Sequence, residues 1–369
     1  MNSPYDVICI GAGPTGLACA IEAKRAGLRP LVIDKGVLCN SLYRYPVNMV
    51  FFTTPELLEI GDLPFVSATE KPTRVEALKY YRKCVEHYDL ELRLGEMVTR
   101  VEGADGNFRV HTSANQNDLG VREKDKIVES GDGGESHQQD ELSPRNKVDG
   151  VTQQYASRKL IVATGYYDLP NCLGVPGEGQ PHVSHYYTEP HPFWRQDVVV
   201  VGGKNSAAEA ALDLYRSGAR VTLVHRRAEL GSTIKYWVRP DIENRIKAGQ
   251  ITALFETHVV RIEREAVHVV GPSGPKSLPA VQVFALTGYH PDFDFLRQLG
   301  VKLDLQTNKP ALDPQTLESN VPGLYLAGVV IGGKYTSEIF IENGRFHGKQ
   351  IIAALTGTPL AIAQPTSAG

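Results

Sequence analysis

Two glycine-rich turns, each entered from an apolar strand, constrain this chain more than any other feature. Gly11-Ala12-Gly13-Pro14-Thr15-Gly16 follows Tyr5-Asp6-Val7-Ile8-Cys9-Ile10, and Gly202-Gly203-Lys204-Asn205-Ser206-Ala207 follows Asp197-Val198-Val199-Val200-Val201. In a strand–turn–helix unit the first glycine makes the tight turn. The second lets backbone approach a pyrophosphate, and the third lets helix and strand pack closely. The helix start then offers free N–H groups and a positive dipole end to phosphate. Two such units predict an α/β protein with two Rossmann-like dinucleotide-binding domains, and 369 residues suffice for both.

The residues after each turn distinguish the two dinucleotides. Asp34 ends the strand after the first turn, about 20 residues on, where a carboxylate accepts bonds from ribose hydroxyls. With Gly11, Gly13, Pro14, Thr15, Gly16 and the neighbouring Lys35 it marks a dinucleotide site, which is assigned to FAD because this unit opens the long discontinuous domain that FAD requires. Ala163-Thr164-Gly165 is a second strand end small enough for the flavin dinucleotide to lie close to backbone. In the second unit Lys204 stands where the second glycine is expected, able to crowd the pyrophosphate or to contact it. His225, Arg226 and Arg227 replace the acidic residue. Guanidinium groups match a 2′-phosphate bidentately, which favours NADPH over NADH. Gly202, Gly203, Lys204, Asn205, Ser206, His225, Arg226, Arg227 and Lys235 are therefore the expected NADPH residues. Lys235, Tyr236 and Arg239 fit a nucleotide or anionic-substrate clamp and a plain domain surface equally.

Along the chain, residues 1–168 read as the first part of a FAD domain and 169–287 as an inserted NADPH domain. Residues 288–357 return to the first domain, and 358–369 read as a flexible tail. A helix is expected over 74–88, capped by Thr73. The last segment reads as a strand over 323–328, a glycine turn with Gly328, and one helix over 338–355. Glu338 and Ile339 then sit at a helix start facing the flavin, Phe340 and Ile341 in the core, and His347 near the helix middle as a structural residue. Between 112 and 154 the composition is polar and poor in aromatics, and the segment reads as a disordered insertion between two strands, the second resuming at 158–162.

The bulk composition excludes some classes. A net charge of −3 and a pI near 6.4 argue against a nucleic-acid or membrane-surface binder. No apolar run is long enough to span a bilayer. With the first strand at Tyr5, a signal peptide is not expected. The five cysteines form no Cys-x-x-Cys pair and no cluster with histidine at metal spacing. This predicts a reduced, cytoplasmic protein with neither structural disulfides nor metal.

Several motifs together resemble a known family. They are Phe51-Phe52-Thr53-Thr54-Pro55, Ala163-Thr164-Gly165-Tyr166-Tyr167-Asp168, Glu338-Ile339-Phe340-Ile341-Glu342-Asn343-Gly344 and the stretches 71–74, 202–206 and 234–238. The chain resembles the thioredoxin reductase-like flavoproteins, and within them the YpdA-type branch, the bacillithiol disulfide reductases. The resemblance spans nearly the whole chain outside the polar insertion. Lys204 and Val329, odd against the wider group, are normal for that branch. The resemblance implies FAD, NADPH, a homodimer and reduction of a low-molecular-weight disulfide. One departure matters: branch members proposed to act through a cysteine carry it just before the third glycine, where this chain has Thr15. Cys39 is then the remaining catalytic candidate, given a helix start or a cation to lower its thiol pKa. Cys84 and Cys172 rank below it. Alternative readings are a ferredoxin- or flavodoxin-NADP reductase-like enzyme or diaphorase, and a flavin-based redox sensor whose partner docks on the insertion. A flavin monooxygenase is disfavoured, because no fingerprint of that group stands between the two turns.

Overall fold

The computed structural model describes residues 3–114 and 152–358. Strand β1 (Tyr5–Ile10) runs into helix α1 (Pro14–Arg25) and strand β2 (Pro30–Asp34). A short helix α2 (Asn40–Tyr43) and helix α3 (Arg74–His87) follow, then β3 (Leu92–Leu94), β4 (Glu96–Ala104), β5 (Asn107–Ala114) and β6 (Thr152–Val162). Helix α3 begins where expected. Thr73 accepts from the Glu76 N–H while Glu76 reaches back to the Thr73 N–H, so two orphan amides are satisfied reciprocally.

The chain then crosses through β7 (Leu169–Pro170) to a second body. Its elements are β8 (Val183–Ser184), β9 (Asp197–Val201), α4 (Asn205–Arg216), β10 (Arg220–Val224), α5 (Arg239–Lys247) and β11 (Thr252–Leu254). A three-stranded antiparallel sheet of β12 (His258–Ile262), β13 (Ala266–Gly271) and β14 (Gly274–Pro279) precedes β15 (Gln282–Ala285). It returns through β16 (Tyr289–His290), which pairs with β7. Helix α6 (Phe293–Gln298), strand β17 (Leu324–Leu326) and helices α7 (Ile341–Gly344) and α8 (His347–Thr356) then rejoin the first body.

Each body is built on a largely parallel, Rossmann-like sheet, and in the second one face packs on α4 and α5 and the other on β12 and β13. The first has the order β3-β2-β1-β6-β5-β4, with β17 also paired to β6; the second has β11-β10-β9-β15-β8. In the first, alternate residues of β1 serve opposite faces. Val7 and Cys9 join the α1 and α3 side with Leu17 and Ile21, while Ile8 and Ile10 join Leu31, Leu160, Leu296 and Leu326. A strand buried on both faces must be apolar at every position, which is why these strands read as unbroken runs. Helix α8 lies so close to α1 that a Cβ on Gly348 would come within 2.9 Å of the Ala18 carbonyl carbon and oxygen. The C-terminal segment thus completes the core begun at the N-terminus.

Three expectations change. Strand β6 begins at Thr152 and β5 runs to Ala114, so residues 112–114 and 152–154 are paired strand rather than insertion. The rest of the expected disordered insertion and nearly all of the tail lie outside the described residues. The expected helix over 338–355 is two helices, and Glu338 lies before both. Arg345 and Phe346 separate them, and Arg345 Nη1 donates to the Glu56 and Glu59 carbonyls at 2.7 and 2.8 Å. His347 is consequently the first residue of α8, not its middle.

Candidate functional site

The two glycine turns open onto a single cavity of about 1440 Å³ between the sheets. Small-molecule pockets usually enclose about 300–1,000 Å³, so this one exceeds the need of one compact ligand. The turns are built alike. Gly13 is the N-cap of α1 and Lys204 the N-cap of α4, and neither helix has a side-chain cap or an acidic residue in its first turn. Helix starts left without side-chain partners are ready acceptor sites for phosphate.

The glycines divide their roles as spacing predicts. A Cβ on Gly11, at φ +116°, would stand 2.3 Å from the Ala163 carbonyl oxygen, and one on Gly16 would stand 1.9 Å from the Gly11 oxygen. These two serve close backbone packing and do not line the cavity. A Cβ on Gly13 would meet nothing within 4 Å, because Gly13 faces the open space itself. Asp34 lines the same space. Its carboxylate accepts from the Ala12 and Gly36 N–H groups at 2.6 and 2.8 Å. Burial raises its pKa, and these two bonds oppose the rise.

Pro14, Thr15, Ala163, Thr164, Gly165, Gly328 and Ile339 also line the cavity. Lys35 and Glu338 do not. The Lys35 ammonium sits 3.1 Å from Asp168, and Glu338 is 2.6 Å from Lys309. Lys35, expected at the FAD site, thus pairs with a carboxylate that itself lines the cavity, whereas Glu338, expected at a helix start facing the flavin, pairs with Lys309 outside it. Phe340 departs from expectation as well. It lines the cavity and is half-exposed, with its ring edge-on to Phe52 at 5.8 Å, instead of buried in the core.

On the other side Gly202, Gly203, Lys204, Asn205, Ser206, His225, Arg226, Arg227 and Lys235 all line the cavity. His225 packs over the turn: a Cβ on Gly203 would fall 2.3 Å from its ring. Burial lowers the His225 pKa first, and Arg227 and Arg226 lower it further. Both causes disfavour the charged imidazole beside the two exposed guanidinium groups. Asn205 donates to the Thr233 carbonyl and accepts from the Lys235 N–H, both at 3.0 Å, so α4 fixes the loop that carries Lys235. The Lys235 ammonium lies 4.1 Å from the centre of the Phe52 ring and 3.6 Å from Glu209. Tyr236 and Arg239 do not line the cavity; Arg239 pairs with Glu243 at 2.7 Å. Trp237 does line it, a residue that sequence reasoning passed over within a quoted motif.

Cys39 also lines the cavity, but its side chain is buried and burial pushes its thiol well above the ordinary range. A helix start is present, since Cys39 is the left-handed N-cap, at φ 55°, of the short helix α2, but burial and then Asp34 and Cys84 push the thiol up. A thiol this hard to ionise is a poor nucleophile, so the catalytic expectation for Cys39 is corrected. Thr15 is wedged between loops. Its hydroxyl oxygen would be 3.1 Å from a Cβ on either Gly328 or Gly344.

His347 supports the Gly328 turn. Its Nδ1 accepts from the Gly328 N–H at 2.9 Å, and burial lowers its pKa to about 4. A histidine with a depressed native pKa binds its proton more readily when unfolded. Stability is then complete above the unfolded value near 6.5 and falls as pH drops towards 4, by up to roughly 3 kcal/mol. Thermal melting between pH 7 and pH 4 should show this slope, and His347→Gln, which keeps an acceptor but cannot titrate, should flatten it. Equal slopes in both proteins would remove His347 from the account.

Two Rossmann-like sheets with two uncapped, glycine-turn helix starts around one cavity define a two-dinucleotide oxidoreductase. The chain belongs to the family described as pyridine nucleotide-disulphide oxidoreductase, which it matches over residues 8–118 and 141–328. It is 41% identical to the bacilliredoxin reductase Bdr of Bacillus subtilis (strain 168), over 94% of this chain and 96% of that one. The structure of the bacillithiol disulfide reductase Bdr (YpdA) of Bacillus cereus superposes with a TM-score of 0.85 at 38% identity, covering 97% of this chain and all of that one. The Staphylococcus aureus protein of the same description gives 0.82 at 35% identity, over 96% and 99%. The chain is a flavin-dependent enzyme of this family, with FAD and NADPH as cofactors.

Proposed function

We propose that this enzyme uses NADPH to reduce a low-molecular-weight disulfide of the bacillithiol type. The observation that carries the proposal is the single cavity lined from both glycine turns, which lets two dinucleotides meet. The names of the Bacillus cereus and Staphylococcus aureus relatives supply the substrate class.

In this reading residues 1–168 and 288–357 form the FAD domain and 169–287 the NADPH domain. The amides opening α1 hold the flavin pyrophosphate across Gly13, and Asp34 accepts from the adenosine ribose. Ala163, Thr164, Gly165 and Gly328 let the dinucleotide lie against backbone. The amides opening α4 and the Lys204 ammonium hold the nicotinamide pyrophosphate, while Arg226 and Arg227 clasp the 2′-phosphate. Bound FAD supplies the two-electron carrier between nicotinamide and disulfide. The protein's task is to position both nucleotides and to keep the cavity walls fixed. A homodimer and a cytoplasmic location complete the proposal. Among the described residues no helix is long and apolar enough to cross a membrane.

A second reading, a small protein acceptor, has specific support. The Bacillus subtilis relative is named for a bacilliredoxin, and Trp237 and Phe340 stand half-exposed at the cavity. Steady-state NADPH oxidation with bacillithiol disulfide, with and without bacilliredoxin, separates the two. Two thiols released per NADPH without the protein support the small-molecule reading. Turnover only with bacilliredoxin replaces it with the second.

A further inference from the structure

We propose that Cys172, Glu178 and His185 form a binding site for one divalent cation of the zinc class, at the edge of the cavity that Cys172 lines. The three donor atoms lie within 4.8 Å of one another, although the residues are spread along the crossover between the sheets. Glu178 is fixed by two backbone bonds: Oε1 accepts from the Leu173 N–H at 2.6 Å and Oε2 from the Gly174 N–H at 2.8 Å. His185 follows β8, which pairs with β15, and this brings its Nδ1 to 3.1 Å from the Ala285 carbonyl.

That last contact places one ring hydrogen. A carbonyl only accepts, so Nδ1 carries a hydrogen, which leaves Nε2 as the ring atom that can ligate a metal. Nε2 faces Glu178 Oε1 at 3.3 Å. A positive charge, carried by a ring proton or by a bound metal ion, bridges the two atoms at that separation. The outer bonds are those that orient metal ligands, a histidine N–H on a carbonyl and a carboxylate held by amides. Cys172 is the only exposed cysteine of the five, and it lines the cavity. Donors around tetrahedral zinc stand roughly 3.3–3.8 Å apart, so contraction by about 1 Å completes the set. Binding deprotonates Cys172. One proton leaves per ion, and thiolate, carboxylate and neutral imidazole balance the two positive charges.

The test uses the full-length, flavin-loaded protein. One equivalent of cobalt(II) should give tetrahedral thiolate absorption in the red, where oxidised flavin is transparent, and one equivalent of zinc should abolish it. Because the other cysteines are buried, alkylation reports Cys172 alone, and zinc should slow it about tenfold or more. Cys172→Ser, at an exposed position, should fold and lose the cobalt signal; His185→Gln should weaken zinc binding by about 100-fold. Alkylation that zinc does not slow, or an unchanged cobalt spectrum in Cys172→Ser, would overturn the site. Fast alkylation insensitive to zinc would make the group an imidazolium beside an activated thiol instead.

Discussion

Replacing Gly11 by alanine should lower stability by about 3 kcal/mol or more, while the same change at Gly13 should leave the flavin-free protein almost untouched. At Gly11 the added methyl meets the Ala163 carbonyl oxygen at 2.3 Å and carbon at 2.7 Å, on a backbone at φ +116°. Nothing there is a flexible side chain that could swing aside, so strands β1 and β6 must move apart. At Gly13 the methyl projects into open cavity. Its cost appears only when a dinucleotide is present, as a loss of FAD affinity of about tenfold or more. Melting of the apoproteins and FAD titration read the two effects separately. Gly13→Ala binding FAD as tightly as the parent would mean that the dinucleotide does not pass over this turn.

The second large effect concerns coenzyme choice. Arg226→Gln and Arg227→Gln should each raise the KM for NADPH by about tenfold and leave that for NADH nearly unchanged. A charge-assisted bond contributes roughly 1.5–3 kcal/mol, and the lower end applies because both side chains are exposed. The double variant should therefore lose most of its preference for NADPH. Raising the salt concentration should mimic the effect in the parent by screening the same attraction. An equal loss for both coenzymes would mean that the arginines hold the pyrophosphate, not the 2′-phosphate.

These effects follow from residues whose roles are local, and local roles are the legible ones. A glycine turn after an apolar strand specifies its own geometry, so the positions of Gly11, Gly13, Gly202 and Gly203 could be read directly. Thr73 and Glu76 likewise announce the start of α3 within a few residues of sequence. Where partners come from elsewhere, the reading failed. Lys35 sits beside Asp34 in sequence, yet its ammonium pairs with Asp168 in the loop after β6. Cys39 follows the first nucleotide strand, but packing against α3 and the core buries its thiol.

The break between α7 and α8 had a signal that was overlooked. Asn343-Gly344 interrupts an otherwise helical pattern, and a Cβ on Gly344 would press on the Thr15 hydroxyl at 3.1 Å. The Cys172, Glu178 and His185 cluster had none. Its spacing matches no metal motif, and the contact of His185 with Ala285 on β15 depends on strand pairing far along the chain.

The central claim is that two dinucleotides meet in the one cavity and pass electrons to a small disulfide. Anaerobic titration of the flavin-loaded protein tests it most directly. One NADPH per flavin should bleach the yellow absorbance, and bacillithiol disulfide should then restore it with release of two thiols per flavin. A flavin that NADPH bleaches but the disulfide leaves reduced would contradict the account.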